Sequence, residues 1–127
     1  MITLDASCLI AFFDKNNSHH QRAVGILDRC QANETQVHTI NLAELLVGAL
    51  RLGQVTETIA HLEAMGVLTI RPLSEEALRL AELRHRTGLK LPDCCALLAA
   101  KTRGLTLATF DTALAKAARQ QGITVID

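Results

Sequence analysis

The sequence predicts an α/β fold of three layers, with a mostly parallel sheet of about five strands between helices. Three observations carry this. Short β-prone apolar runs alternate with longer helical patterns along the whole chain. Glycines close the helical stretches, and both prolines, Pro72 and Pro92, fall at element boundaries. No linker rich in Gly, Pro or Ser divides the 127 residues, so a single domain over residues 1–127 is expected. Strands that alternate with helices need crossover connections, which makes the sheet parallel and covers both of its faces.

The elements follow in order. Residues 2–4 form a short apolar strand that ends at Asp5. Helical patterns follow over residues 6–13 and 18–30; in the second, Ala23, Val24, Ile26 and Leu27 lie at helical spacing. Residues 36–40 are β-prone and lead into a Leu-rich helix over 41–52, with Gly53 as C-cap. A helix over 55–65 is closed by Gly66, and residues 67–70 read as a strand. Ser74 is placed to cap a helix running to about Thr87, closed by Gly88. Pro92 suits the first turn of a helix over about 91–102, because its missing N–H is not needed there. Residues 105–109 form a strand, 111–121 a helix and 123–126 a final strand, for six or seven helices in all.

Composition narrows the function classes. Hydrophobic residues make up 49% and charged residues 20%, which suits a folded core and speaks against disorder. Lys plus Arg and Asp plus Glu both number 13, so the chain is formally neutral and no simple basic nucleic-acid binder. Aromatics are only Phe12, Phe13 and Phe110, too few for a stacking platform. The N-terminus shows no secretory pattern and no apolar run reaches about 20 residues, so a cytoplasmic protein without a membrane span is expected. Cys8, Cys30, Cys94 and Cys95 form no CxxC pair and read as free thiols filling core volume.

Four acids stand at matching places in four separated segments. Asp5 follows the first strand, and Asp111 follows the strand over 105–109 after one residue. Glu44 falls in the first turn of the helix expected over 41–52, and Asp93 in the first turn of the helix opened by Pro92. Ligands of open α/β sheets bind beyond the carboxyl ends of the strands, so a parallel sheet can gather all four on one edge. Each acid alone is more simply structural, since carboxylates favour helix N-termini by about 0.3–1 kcal/mol. Their apolar neighbours, as in Leu4-Asp5-Ala6 and Pro92-Asp93-Cys94, suggest half-buried carboxylates that must be paired, protonated or metal-bound. A hard divalent cation, Mg²⁺ or Mn²⁺, relieves the mutual repulsion and takes oxygen ligands together with substrate phosphates. Phosphodiester hydrolysis is the chemistry that such a site serves.

With these residues in place the chain resembles the PIN-domain family, and within it the small VapC-type toxins of bacterial toxin–antitoxin pairs. The resemblance rests on residues 3–13, 40–50, 91–111 and 122–126, in order and over almost the whole chain. It implies a three-layer α/β/α PIN-like fold and a Mg²⁺- or Mn²⁺-dependent endoribonuclease. It implies a type II toxin that cuts RNA, is held inactive by a cognate DNA-binding antitoxin, and forms a homodimer. Asp5, Glu44, Asp93 and Asp111 match the family's four metal-binding acids, and Ser7 and Thr109 match hydroxyls that often support them. Phe110 stands where the family often has a polar residue.

The remaining features read more plainly. His19 and His20 are expected at the exposed start of the second helix, and Asp14 in a loop. Arg84, His85, Arg86 and Lys90 form a basic run expected as a solvated helix end, with contact to RNA phosphates as the other reading. A phosphohydrolase with a nucleophilic aspartate would want an acid at position 7, where Ser7 stands. A phosphoacceptor domain would want an Asp after the third strand, and residues 67–72 offer none. No P-loop motif occurs. Two alternatives share the fold: a module that binds RNA or a partner without cutting, and a housekeeping RNA-processing nuclease. Neutrality itself is a sum of unlike parts. Residues 71–127 carry nine of the thirteen Lys and Arg, and the four acids account for much of the opposing charge.

Overall fold

The structure, a computed structural model, describes residues 1–127. Its chain runs β1 (Ile2–Leu4), α1 (Ala6–Phe13), α2 (His20–Leu27), β2 (Thr35–His38), α3 (Thr39–Arg51), α4 (Val55–Ala64), β3 (Leu68–Ile70), α5 (Glu76–Thr87), α6 (Leu91–Thr102), β4 (Thr106–Ala108), α7 (Thr112–Gln120) and β5 (Thr124–Ile126). All four strand pairings are parallel, and the strand order is β3-β2-β1-β4-β5. After β1 the chain builds outward to β2 and β3. It then crosses back to place β4 and β5 on the other side. The order therefore reverses between β1 and β4, and the crevice for a ligand lies beyond their carboxyl ends.

Side chains alternate across each strand, so neighbours serve opposite layers. Leu107 packs with Leu83, Leu97, Leu98, Leu114 and Ala118, while Ala108 joins Leu4, Leu9, Ala23, Val37 and Leu45. Helix α6 is buried continuously from Cys94 to Ala100, which explains its small Ala and Cys side chains and its lack of a polar face. Leu97 at its centre is fully buried. Leu97→Ala is expected to lose about 2–5 kcal/mol, read as a lower denaturant midpoint at unchanged slope. An unmoved midpoint would contradict this packing. No helix is long and apolar enough to cross a membrane.

Several element boundaries differ from the sequence expectation, each for a local reason. The second helix is shorter than residues 18–30: the Asn17 side chain accepts from His19 N, so the helix begins at His20. Strand β2 ends at His38 rather than 40, because the His38 Nδ1 accepts from Ile40 N and caps α3 from there. Thr39 and Ile40 are thus helical, and Glu44 lies in the second turn of α3, not the first. Ser74 does not cap α5. The Leu73 carbonyl accepts Glu76 N in a backbone turn, and Glu75 holds the cap position. The fourth strand starts at Thr106 because Leu105 has a φ of 54°, outside the extended region. Gly66 is needed where it stands: its φ is 70°, and an added Cβ would lie 2.8 Å from Ala32 Cβ.

Candidate active site

Two loops build the crevice floor. Asp5 follows β1 and caps α1, with Cys8 N donating to its Oδ1 at 2.9 Å. Ser7 Oγ donates to the same oxygen at 2.7 Å, and Thr109 Oγ1 donates to Oδ2 at 2.6 Å. The loop after β4 is tied back through the same hydroxyls. Phe110 N donates to Ser7 Oγ and Asp111 N to Thr109 Oγ1, both at 3.0 Å. Asp111 in turn caps α7, accepting from Leu114 N at 2.8 Å. Ser7 and Thr109 therefore hold Asp5 from both sides and join the two strand ends across the reversal of strand order.

Asp5 is only 3% exposed. Burial raises its carboxyl above the ordinary value, the three hydrogen bonds pull it down, and the Asp111 charge raises it again. A carboxylate has about four acceptor sites, and three are filled here. Thr109→Val removes the donor that lowers this carboxyl most and leaves Oδ2 unpaired, a loss of about 1–3 kcal/mol. The Asp5 carboxyl would rise further in the folded state. The loss should then grow as pH climbs above the ordinary carboxylate range and shrink where Asp5 is protonated in both states. Melting curves of Thr109→Val between pH 4 and 8 check this; a loss independent of pH would contradict the role of Thr109.

The other two acids come from the facing helices. Asp93 lies half-buried in the first turn of α6. Burial first, then the charges of Asp111, Asp5 and Glu44, push its carboxyl up to about 6, with Lys90 acting in the opposite sense. The other three acids are thus all within electrostatic reach of Asp93. Of Asp5, Glu44 and Asp93, all expected as half-buried, only Asp93 is so: Asp5 is buried and Glu44 is exposed. Asn41, which sequence reasoning passed over, links it to the site. It is 1% exposed, and its Nδ2 donates to Glu44 Oε1 at 3.4 Å and to the Pro92 carbonyl at 3.0 Å. Its Oδ1 has no partner. A buried-side Asn three residues before an acid, at the mouth of an apolar helix, was the signal available.

The donor set suits a hard divalent cation: four carboxylates, one of them with a single acceptor site left open, and a site chemistry made of oxygen. Neither ion pair of the chain, His38–Glu76 or Arg119–Asp127, neutralises any of the four acids. As placed, no three His, Cys, Asp or Glu side chains stand close enough to hold one ion together, so the acids ring the crevice without closing on a point.

Other expected features settle around this centre. His19 and His20 are half-buried, not exposed. His19 stacks on Phe110 with ring centroids 4.6 Å apart and planes 5° off parallel, and the Arg22 guanidinium lies 5.8 Å from the same ring. His20 Nδ1 is 2.8 Å from the Ala11 carbonyl oxygen. Phe110 thus serves as an apolar anchor that packs α2 beside the site. Asp14 is exposed after α1, and its Oδ1 accepts from Asn16 N. Phe12 and Phe13 pack edge-on to each other and to His61. The four cysteines are free, and burial pushes the thiols up, Cys8 to about 12 and Cys95 to about 11.

Five parallel strands with carboxylates gathered where their order reverses define an α/β protein with an acidic crevice at the switch point. The chain belongs to the PIN domain family, which it matches over residues 2–120. Its fold is similar to that of VapC20 of Mycobacterium tuberculosis, a sarcin–ricin loop cleaving toxin (TM-score 0.79, 14% identity, 92% of this chain and 95% of that one). It is similar to a chain of a toxin–antitoxin complex from Klebsiella pneumoniae (TM-score 0.75, 28% identity, 88% of each chain). It is also similar to FitAcB from Neisseria gonorrhoeae (TM-score 0.69, 23% identity, 100% of this chain and 97% of that one). At 14% and 23% identity the first and third speak for the fold alone. No curated protein matches the chain.

Proposed function

We propose that this chain, one PIN domain over residues 1–127, is a divalent-metal-dependent endoribonuclease and the toxin of a VapBC-type pair. One observation carries the reading: the charges of Asp111, Asp5 and Glu44, from three other segments, all act on the half-buried Asp93, and no side-chain cation is ion-paired with any of the four. Similarity to a toxin–antitoxin complex at 28% identity and to an RNA-cleaving toxin at the level of fold supports it. Asp5, Glu44, Asp93 and Asp111 would hold Mg²⁺ or Mn²⁺. When bound, such an ion orients and activates water and offsets charge on phosphoryl oxygens. The chain supplies the geometry. Ser7 and Thr109 fix both oxygens of Asp5 and oppose the upward push of burial on its carboxyl. Asn41 ties Glu44 to the start of the helix that carries Asp93. Asp111 is held by its own cap bond to α7.

The same reading includes a cognate DNA-binding antitoxin, a homodimer and a cytoplasmic setting. Ile10, Val47, Leu50 and Ile59, exposed on α1, α3 and α4, give apolar surface for protein partners. The test is cleavage of RNA by purified protein. Cutting is expected with Mg²⁺ or Mn²⁺, and neither in EDTA nor after Asp5→Asn. Cutting that survives both conditions would overturn the metal reading, and RNA binding without cutting would leave a non-catalytic module. Growth arrest on expression, relieved by the product of an adjacent gene, separates a toxin from a housekeeping nuclease.

A further inference from the structure

A groove of about 700 Å³ runs along α7, walled by the end of α5 and by α6. Leu89, Ala113 and Ala117 line it together with the cations Arg86, Lys101 and Lys116. No acid and no aromatic side chain lines it. All three cations are exposed and none is ion-paired; Lys101 Nζ contacts only the Gln121 amide oxygen, at 2.7 Å. Two of its lining residues are close in the chain to the acids of the crevice. Ala113 lies two residues after Asp111, and Leu89 is followed directly by Lys90, whose charge acts on Asp93. From Ala113 to Gln120 the helix rises about 10 Å, which matches about three nucleotide steps at the duplex rise of about 3.4 Å each.

We infer that this α5–α6–α7 groove binds the phosphodiester backbone of the substrate strand beside the scissile phosphate, with Arg86, Lys101 and Lys116 as its phosphate contacts. The inference rests on the RNA-cleaving reading and adds where the strand lies. An acidic crevice repels RNA, so a neutral protein needs a separate cationic track leading to it. A track with cations and no aromatic side chain reads charge and spacing, not bases, so it sets affinity and not the cleavage sequence. The basic run expected as a solvated helix end divides accordingly: Arg86 faces the groove, whereas Arg84 donates to the Leu89 carbonyl and shapes its wall.

The test compares Arg86→Gln/Lys101→Gln/Lys116→Gln with a control of equal charge loss, Lys15→Gln/Arg29→Gln/Arg51→Gln. Binding of a fluorescent oligoribonucleotide is followed by anisotropy in EDTA across a salt series, so that it does not depend on cleavage. The groove variant should bind about tenfold or more weakly near 100 mM salt, and its log–log salt slope should fall by about 2, from three lost contacts at about 0.7 each. The control should stay close to the parent. With metal added, both should cut at the same positions as the parent. Lys101→Arg/Lys116→Arg keeps the charge and should bind like the parent, which separates charge from fold. Equal losses in both triple variants, or none in the groove variant, would overturn the groove. A groove variant that binds RNA normally but sediments differently would reassign the surface to a protein partner and also overturn it. The two readings fail separately: a parent that binds RNA but never cuts it defeats the nuclease reading, and a parent that cuts while the groove variant binds unchanged defeats the groove alone.

Discussion

Asp93→Asn should abolish RNA cleavage while making the metal-free protein more stable at neutral pH. The two effects share one cause. Asp93 faces Asp111, Asp5 and Glu44 from a half-buried position, and its carboxyl is raised from 3.8 to about 6. A raised folded-state value means that folding favours the protonated form. The ionised form therefore weakens the fold, increasingly from about pH 4 to pH 6 and fully above that range. Asparagine keeps the shape and removes the charge. The melting temperature of Asp93→Asn in EDTA should exceed the parent's above pH 6 and converge with it near pH 4, where both side chains are neutral. Activity should fall by at least the ~10–100-fold typical for loss of even an outer partner of a metal ligand. A variant that keeps its activity, or that is less stable at pH 7.5, would contradict the role given to this residue.

Adding a divalent ion should reverse the same repulsion. An ion that binds only the folded state stabilises it by about 2.7 kcal/mol at one hundred times its Kd. Mn²⁺ or Mg²⁺ should therefore raise the parent's melting temperature at pH 7.5. The gain should shrink below pH 6, where a proton competes for Asp93. In Asp93→Asn the gain should be small at every pH, and EDTA should erase it in the parent. Equal gains in the parent and in Asp93→Asn would place the ion elsewhere.

The fold was legible because its signals are local. Apolar periodicity marked each helix, and positive-φ glycines such as Gly88 marked where helices stop. The reversal of strand order between β1 and β4 has no such signal, since it depends on which strands pair after the whole chain has collapsed. The acids were legible as a set because Asp5 and Asp111 follow strands and Asp93 opens a helix. Glu44 was placed one turn too early, because the His38 cap that starts α3 uses a ring nitrogen that periodicity does not register. Asn41 escaped notice for a related reason: its partners, Glu44 and the Pro92 carbonyl, are joined only by packing of α3 against α6. The basic track along α7 draws Arg86, Lys101 and Lys116 from three helices, and only their assembly makes it a groove. Neutral composition is thus the sum of an acidic set, Asp5, Glu44, Asp93 and Asp111, and a basic set that includes Arg86, Lys101 and Lys116.

The central claim is that Asp5, Glu44, Asp93 and Asp111 form one divalent-ion centre, and anomalous diffraction from crystals grown with Mn²⁺ tests it most directly. A peak is expected among these four carboxylates and should disappear in Asp93→Asn crystals. A peak elsewhere, or none at this crevice under conditions where the protein cuts RNA, would contradict it.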